Sequence, residues 1–169
     1  IPAEIADLAE KMLHEPEHIS VTPSAKPADK IEQQLYFVEK QEKRELLPDI
    51  IRQSNVHQVL VFTRTKHGAD RVARDLNRAG IKTKSIHGDK SQNQRQRALA
   101  DFKECKIAVL VATDIAARGI DINDLPLVIN FDLPNIPETY VHRIGRTGRA
   151  GQEGTAISFC DRSERPYLG

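Results

Sequence analysis

The stretch Ala108-Val-Leu-Val-Ala112 is the most apolar run in the 169-residue chain, and the expected fold is built outward from it. A short apolar run that is followed at once by Thr113 and Asp114 is typical of a strand buried on both faces. Strands of this kind occur in parallel sheets, whose two faces are covered by helices. The run therefore predicts an α/β fold.

The same alternation of apolar runs and helical patterns extends on both sides of this strand. Helical spacing is found over residues 41–53 and 66–79, and Ser91 and Gln94 form a capping box that predicts a third helix. Strands that alternate with helices in this way predict one open parallel sheet. The other predicted strands are residues 31–38, 57–62, 81–87, 127–131 and 155–160.

Polar loops follow the predicted strands, at the sheet edge where open α/β proteins bind ligands. These loops are Thr63-Arg-Thr-Lys66, His87-Gly-Asp89 and Thr113-Asp114. The second loop leads into a helix start, which favours anions and carries Gln92 and Arg95 on one face. Hydroxyls and cations suit phosphate oxygens, and no loop offers a pattern for reading bases. We therefore predict that these loops bind a nucleic-acid strand through its backbone. Asp89 could equally be a helix cap that contacts no ligand.

The basic segment Tyr140-Val-His-Arg-Ile-Gly-Arg-Thr-Gly-Arg-Ala-Gly151 places three arginines at three-residue intervals, interleaved with glycines. Guanidinium groups suit phosphate oxygens, and glycines allow the backbone to approach a bulky anion. Pro137 is expected in the first turn of a short helix that carries His142 and Arg143. Arg146 and Arg149 would then point outward, near or beyond the end of that helix. The alternative is a basic surface loop without a specific ligand.

Other parts of a nucleotide site are missing from the sequence. There is no GxxxxGK[ST] phosphate cradle, and no Asp-Glu pair follows an apolar strand to bind Mg²⁺. Arginines aimed at phosphate without a cradle indicate half of a site, with the arginines supplied across an interface. Asp121, which follows the turn at Gly119, would accept hydrogen bonds from a sugar hydroxyl or an arginine, or else cap the turn.

Composition limits the remaining classes of function. The formal net charge is +1, so a nucleic-acid surface must be a local patch. No apolar run of the sequence is long enough to span a membrane, so neither a membrane span nor a secretion signal is expected, and the two separated cysteines fit a reducing cytosol. His14-Glu-Pro-Glu-His18 matches a zinc pattern, but Pro16 breaks the helix that such a site requires, so no metal site is expected.

Four segments together resemble motifs of the DEAD-box RNA helicases, in the family's order and spacing, over nearly the whole chain. They are Val59-Leu-Val-Phe-Thr-Arg-Thr-Lys66, Ile86-His-Gly-Asp89 with Gln92 and Arg95, Ala112-Thr-Asp-Ile-Ala-Ala-Arg-Gly-Ile-Asp121, and Tyr140-Val-His-Arg-Ile-Gly-Arg-Thr-Gly-Arg149. The wider sequence is similar to the bacterial RhlE-like subgroup. The resemblance implies a RecA-like domain, an open parallel sheet of the P-loop NTPase type with helices on both faces.

The resemblance also implies roles for individual residues. Arg146 and Arg149 would contact the γ-phosphate of ATP, with Arg149 as the arginine finger, and His142 would couple the two domains. Asp121 would meet the ribose, beside Arg118 and Gly119 at the interface. The residues implied to face RNA are Arg64, Thr65, Gly88, Gln92, Arg95, Thr113 and Asp114.

By the same resemblance, residues 1–21 are the tail of a preceding RecA-like domain, residues 22–30 a linker, and residues 31–169 the C-terminal helicase domain. ATP with Mg²⁺ would be bound mainly by the N-terminal domain, and the partners would be RNA and that domain. The fragment is expected to be monomeric, cytoplasmic, away from membranes and inactive as an isolated ATPase. Two alternatives stay open, a stand-alone RNA-binding module and half of a related DNA helicase.

Overall fold

The computed structural model describes residues 31–148 and 153–168. The expected domain tail, linker and broken zinc pattern, which fall in residues 1–30, lie outside the described residues, and so does Arg149. The strands are β1 (Ile31–Phe37), β2 (Val59–Phe62), β3 (Thr83–Ile86), β4 (Val109–Ala112), β5 (Leu127–Asn130) and β6 (Gly154–Cys160). The helices are α1 (Lys43–Ser54), α2 (Lys66–Arg78), α3 (Gln92–Lys103), α4 (Asp114–Ala117), α5 (Pro137–Ile144) and the 3₁₀ helix Arg162–Leu168.

The described strands form one parallel sheet in the order β1-β6-β5-β2-β4-β3. The central strands β2, β4 and β5 are buried along their whole length, as their unbroken apolar sequences predict. The predicted α/β fold with an open parallel sheet is therefore confirmed. Five strands are one to three residues shorter than predicted, and β6 begins one residue earlier.

Helices cover both faces of the sheet, and each face has its own apolar core. On one side, α1 and α2 pack Leu46, Ile50 and Leu76 against the strand residues Val61 and Val111. On the other side, α3 and α4 pack against a second set of strand residues, which includes Leu60, Phe62, Leu110 and Val128. Because successive residues of a strand point to opposite faces, each central strand contributes to both cores.

Local signals place three helix starts at the carboxyl edge of the sheet. The capping box of α3 is present, with Ser91 accepting from the backbone N–H of Gln94 at 3.1 Å. Thr65 caps α2 by accepting from the N–H of Gly68 at 2.9 Å. Pro137 is the first residue of α5, as predicted, and His142 lies on that helix. No helix in the described part of the chain is long and apolar enough to cross a membrane.

Candidate functional site

A hollow of about 310 Å³ opens at the carboxyl edge of the sheet, between α4 with its following turn and the end of α5. It brings together five of the predicted site residues, namely Asp114, Arg118, Gly119, His142 and Arg146. The other lining residues are Phe62, Ala117, Thr139 and Arg143. The hollow is therefore lined mainly by cationic and small side chains, a composition that suits an anionic ligand.

Arg143 forms the floor of this hollow and is only 1% exposed. Its guanidinium donates two parallel hydrogen bonds to Asp114, at 2.6 and 2.8 Å. It also donates to Asn130 Oδ1 at 3.1 Å and to the carbonyl of Asp132 at 2.6 Å, and it stacks on the Phe62 ring. A buried cation is tolerated because it is paired with a carboxylate and makes four hydrogen bonds in this way. Arg143 thus joins α4, α5 and the end of β5 into one unit.

The structure gives Asp114 a different partner from the one implied. The family resemblance implies that it faces RNA, but both of its carboxylate oxygens accept from Arg143. Asp114 is the first residue of α4, where a negative charge is also favoured by the helix dipole. A carboxylate held in this way orients the arginine rather than a phosphate, which it would repel. Its contact with RNA stays an untested prediction.

Arg146 points inward, contrary to the outward direction expected from the sequence. Its guanidinium donates to the carbonyl oxygens of Ala117, Ile120 and Ile122, at 2.9, 2.5 and 3.1 Å. Its own carbonyl accepts from the N–H of Leu125 at 3.0 Å. The carbonyls of Ala117 and Ile120 each accept one backbone hydrogen bond, at 3.3 and 3.1 Å, and each has a second lone pair for a further donor. Arg146 supplies this further donor and holds the turn that carries Arg118.

The turn after α4 presents Arg118 at the rim of the hollow. Gly119 has φ +78°, a left-handed conformation that side-chain-bearing residues adopt at a cost. Arg118 and His142 are both exposed, and neither side chain has a hydrogen-bond partner among the described residues. These two groups are therefore available to a ligand or a neighbouring domain. Arg149, the expected finger, is outside the described residues.

Asp121 lies apart from the hollow. Its exposed carboxylate accepts from the side-chain amide of Asn123 at 2.9 Å, and no arginine of residues 31–148 or 153–168 pairs with it. It lines a separate polar depression with Asn123 and Asp124. In this conformation Asp121 neither caps the turn nor meets an arginine, so a sugar hydroxyl stays its untested predicted partner.

The second predicted surface follows β2. Arg64 is 44% exposed at its side chain and donates from one nitrogen to Glu164 Oε2 and to the carbonyl of Leu133, both at 3.0 Å. The next residue, Thr65, is exposed, but its hydroxyl oxygen is used in capping α2. Thr113, at the end of β4, is 8% exposed. Of these three predicted RNA contacts, Arg64 and Thr65 are therefore exposed and Thr113 is buried.

The loop after β3 adjoins the start of α2. Lys66 pairs with Asp89 at 3.0 Å, and this contact lowers the pKa of the Asp89 carboxyl. Arg95 approaches the carbonyl of Gly88 at 3.4 Å, and its buried Nε has no hydrogen-bond partner in the described ranges. Gln92 is exposed on the first turn of α3. The loop and both helix starts therefore form one continuous polar surface.

The sequence analysis missed a contact behind this surface, between the buried His87 and the partly exposed Asp70. His87 Nε2 lies 2.9 Å from Asp70, while its Nδ1 accepts from the N–H of Asp89 at 3.2 Å, which assigns the proton to Nε2. Burial raises the pKa of Asp70, but hydrogen bonds from Ser85 and His87 outweigh it and the net shift is downward. The pair fixes the loop after β3. Asp70 and His87 are 17 positions apart in the sequence, and no local sequence pattern predicts their contact.

Comparison with known proteins agrees with this architecture. The family described as helicase conserved C-terminal domain matches residues 42–151. The DEAD-box ATP-dependent RNA helicase CshA of Bacillus subtilis is 44% identical over 99% of this chain and 34% of its own length. The ATP-dependent RNA helicase SrmB of Haemophilus influenzae is 41% identical over 98% of this chain and 38% of its own length. The chain therefore spans about a third of the length of these curated relatives.

A solved structure gives the same result for the fold. The crystal structure of the E. coli DEAD-box protein SrmB, bound to regulator of ribonuclease activity A, superimposes with a TM-score of 0.77 at 39% identity. The match covers 85% of this chain and 84% of that one. The finer expectation of an RhlE-like subgroup stays a prediction. The chain belongs to the helicase conserved C-terminal domain family and, within it, to the C-terminal RecA-like domains of the DEAD-box proteins.

Proposed function

We propose that this chain is the C-terminal half of an ATP-dependent RNA helicase, working with an N-terminal RecA-like domain of the same protein in the cytoplasm. The observation that carries the proposal is the grouping of Arg118, His142 and Arg146 around one hollow at the carboxyl edge of the sheet. The hollow has cationic donors suited to phosphate, while the sequence contains no phosphate cradle. Half of a nucleotide site is the arrangement that fits both facts.

In this proposal the N-terminal domain binds ATP with Mg²⁺, and ATP supplies the free energy for closing and reopening the two domains. Arg149 is assigned as the arginine finger, which stabilises charge that develops on the γ-phosphate. His142 and the exposed Arg118 contact the facing domain. Arg146 has its guanidinium on three carbonyl oxygens in this conformation, so its phosphate contact is assigned to the closed state.

The adjoining surface is assigned to RNA. Arg64, Thr65, Gly88, Gln92, Arg95 and Thr113 would contact the sugar-phosphate backbone, with Asp114 acting through its pair with Arg143. The proposal is supported by the adjacency of the α2 start, the loop after β3 and the α3 start, and by the unpartnered Nε of Arg95. Contacts of this kind carry no sequence information, so binding should depend on salt and little on base sequence. Closure of the two domains on one strand would then separate short duplexes.

The deciding experiment measures RNA-stimulated ATP hydrolysis by this chain rejoined to its natural N-terminal half. Arg149→Ala should lower turnover by about 10³-fold with RNA affinity largely kept. Arg162→Ala is the matched control, since Arg162 is 83% exposed and pairs only with Glu39 among the residues described. Unchanged turnover in Arg149→Ala would make the basic segment a simple RNA contact.

Two further measurements separate this function from its rivals. The isolated chain should hydrolyse essentially no ATP, and substantial turnover by the pure fragment would contradict the half-site. Single-stranded DNA should stimulate the rejoined protein far less than RNA does. Equal stimulation by both would favour a DNA helicase.

A further inference from the structure

A buried ionic cluster lies behind the RNA-facing surface, and only one of its members belongs to the predicted site. It joins the start of α1 to the segments that follow β2, β5 and β6. We call it the Glu164 cluster; its members are Lys43, Arg64, Asp132, Asp161 and Glu164.

Glu164 is the centre of this cluster and is 1% exposed. One carboxylate oxygen accepts from Lys43 Nζ and from the N–H of Asp161 at 3.1 Å. The other accepts from Arg64 at 3.0 Å and from the N–H of Leu133 at 2.6 Å. All four partners are donors, so the site requires an ionised carboxylate with no proton of its own. A glutamine at position 164 would place its side-chain NH2 group, a donor, against two of these donors.

Lys43 holds the opposite side of the Glu164 cluster. It is 1% exposed, and its Nζ also lies 3.3 Å from Asp161 and 3.5 Å from Asp132. The second oxygen of Asp132 accepts from the backbone N–H of Arg64 at 2.9 Å. Both the backbone and the side chain of Arg64 are therefore tied to the same cluster. Buried charges of this kind fix geometry when every partner is satisfied.

The cluster leaves part of Arg64 available. One terminal nitrogen donates to Glu164 and Leu133, and the guanidinium carbon lies over the Tyr167 ring, 5.2 Å from its centroid. Its Nε and other terminal nitrogen make no hydrogen bond within the described residues, and the side chain is 44% exposed. A long side chain that is already oriented loses less conformational freedom when it meets a phosphate.

We propose that Glu164, Lys43 and Tyr167 are positioning residues for the RNA contact made by Arg64. Glu164 and Tyr167 lie on the 3₁₀ helix Arg162–Leu168, which follows the last strand and matches none of the sequence motifs, so this helix would supply two residues that support RNA binding. The inference rests on the proposed function in one respect, that Arg64 contacts an RNA phosphate.

The test measures binding of a fluorescein-labelled single-stranded oligouridylate to the 169-residue chain by anisotropy, as a function of salt. Arg64→Ala should weaken binding about tenfold and reduce the salt slope by about 0.7, the loss of one phosphate contact. Tyr167→Ala should weaken binding about threefold, while Tyr167→Phe, which keeps the ring, should bind as the parent does. Arg162→Ala is the control for a lost charge on the same 3₁₀ helix.

The double variant separates positioning from a general structural effect. If Tyr167 acts through Arg64, Tyr167→Ala should have no further effect on affinity in the Arg64→Ala background. Glu164→Gln should weaken binding by no more than Arg64→Ala does, because Glu164 acts through that arginine. If Glu164→Gln fails to fold, the comparison of Tyr167→Ala with Tyr167→Phe alone tests the positioning role.

Each remaining outcome overturns something specific. Additive effects of Arg64→Ala and Tyr167→Ala, or a silent Tyr167→Ala, would overturn the positioning role while leaving the RNA contact intact. A silent Arg64→Ala in a chain that binds RNA would overturn both the contact of Arg64 and the inference. A parent chain without RNA affinity would overturn the proposed RNA surface itself.

Discussion

Replacing Arg143 tests whether the first arginine of the basic segment stabilises the fold. The arginine is 1% exposed and makes four hydrogen bonds, two of them to Asp114. Arg143→Ala removes all of these and the stacking on Phe62, and it leaves a cavity beneath the hollow. Breaking a buried ion pair costs about 3–5 kcal/mol when the remaining charge stays buried.

The carboxylate left behind is not deeply buried, which lowers this figure. The Asp114 side chain is 37% exposed and can regain water, whereas the carbonyl of Asp132 and the amide of Asn130 lose a donor in the interior. We therefore expect Arg143→Ala to lower the free energy of unfolding by about 3 kcal/mol. Arg143→Met, which keeps most of the volume without the charge, should cost about half as much.

Urea unfolding followed by far-ultraviolet circular dichroism measures these differences. Arg118→Ala is the matched control, because Arg118 lines the same hollow but is exposed, and its loss should change stability by less than about 0.5 kcal/mol. A loss below about 1 kcal/mol in Arg143→Ala would refute the reasoning, since the buried network would then contribute little.

Three other predictions concern a turn, a carboxyl group and the thiols. Gly119→Ala and Gly80→Ala should each lower the free energy of unfolding by about 1 kcal/mol, because both glycines have positive φ and open space at the Cβ position. Only Gly119→Ala should reduce the ATPase activity of the rejoined protein. The folded pKa of Asp70 is below its unfolded value of 3.8, because its hydrogen bonds outweigh its burial. Its contribution to stability is therefore present above pH 3.8 and is lost as the pH falls through the folded pKa. Asp70→Asn should reduce the dependence of the free energy of unfolding on pH across that acid range. A thiol reagent at pH 8 should modify exposed Cys105 quickly and Cys160 only on unfolding, because burial raises the pKa of Cys160 to about 11; equal rates would contradict the described core.

The fold could be predicted from sequence because its determinants are local. The run at β4 is apolar on both faces, Ser91 and Gln94 close a capping box, and Pro137 begins α5. Each signal acts within a few residues and agrees with its neighbours, so element type and order followed directly. The loops that these elements bring to the carboxyl edge were predictable for the same reason.

The roles inside the site were less accessible, because they depend on contacts between distant residues. Asp114 pairs with Arg143 across 29 positions, and Lys43 pairs with Glu164 across 121. Neither partner carries a local pattern that distinguishes it from a solvent-exposed charge. Only the packed sheet shows which charges are buried and must therefore be paired.

The basic segment shows why residue spacing alone does not give direction. Arg143 and Arg146 are three apart, but α5 ends at Ile144, so the second arginine leaves the chain from a turn rather than from a helix. Its direction is then set by the nearest carbonyl acceptors, which lie at the end of the short helix α4 and in the turn after it. A phosphate that approaches the hollow must compete with those carbonyls for Arg146. Because releasing Arg146 removes three hydrogen bonds from the Arg118 turn, ligand contact at this arginine and the position of that turn are necessarily coupled.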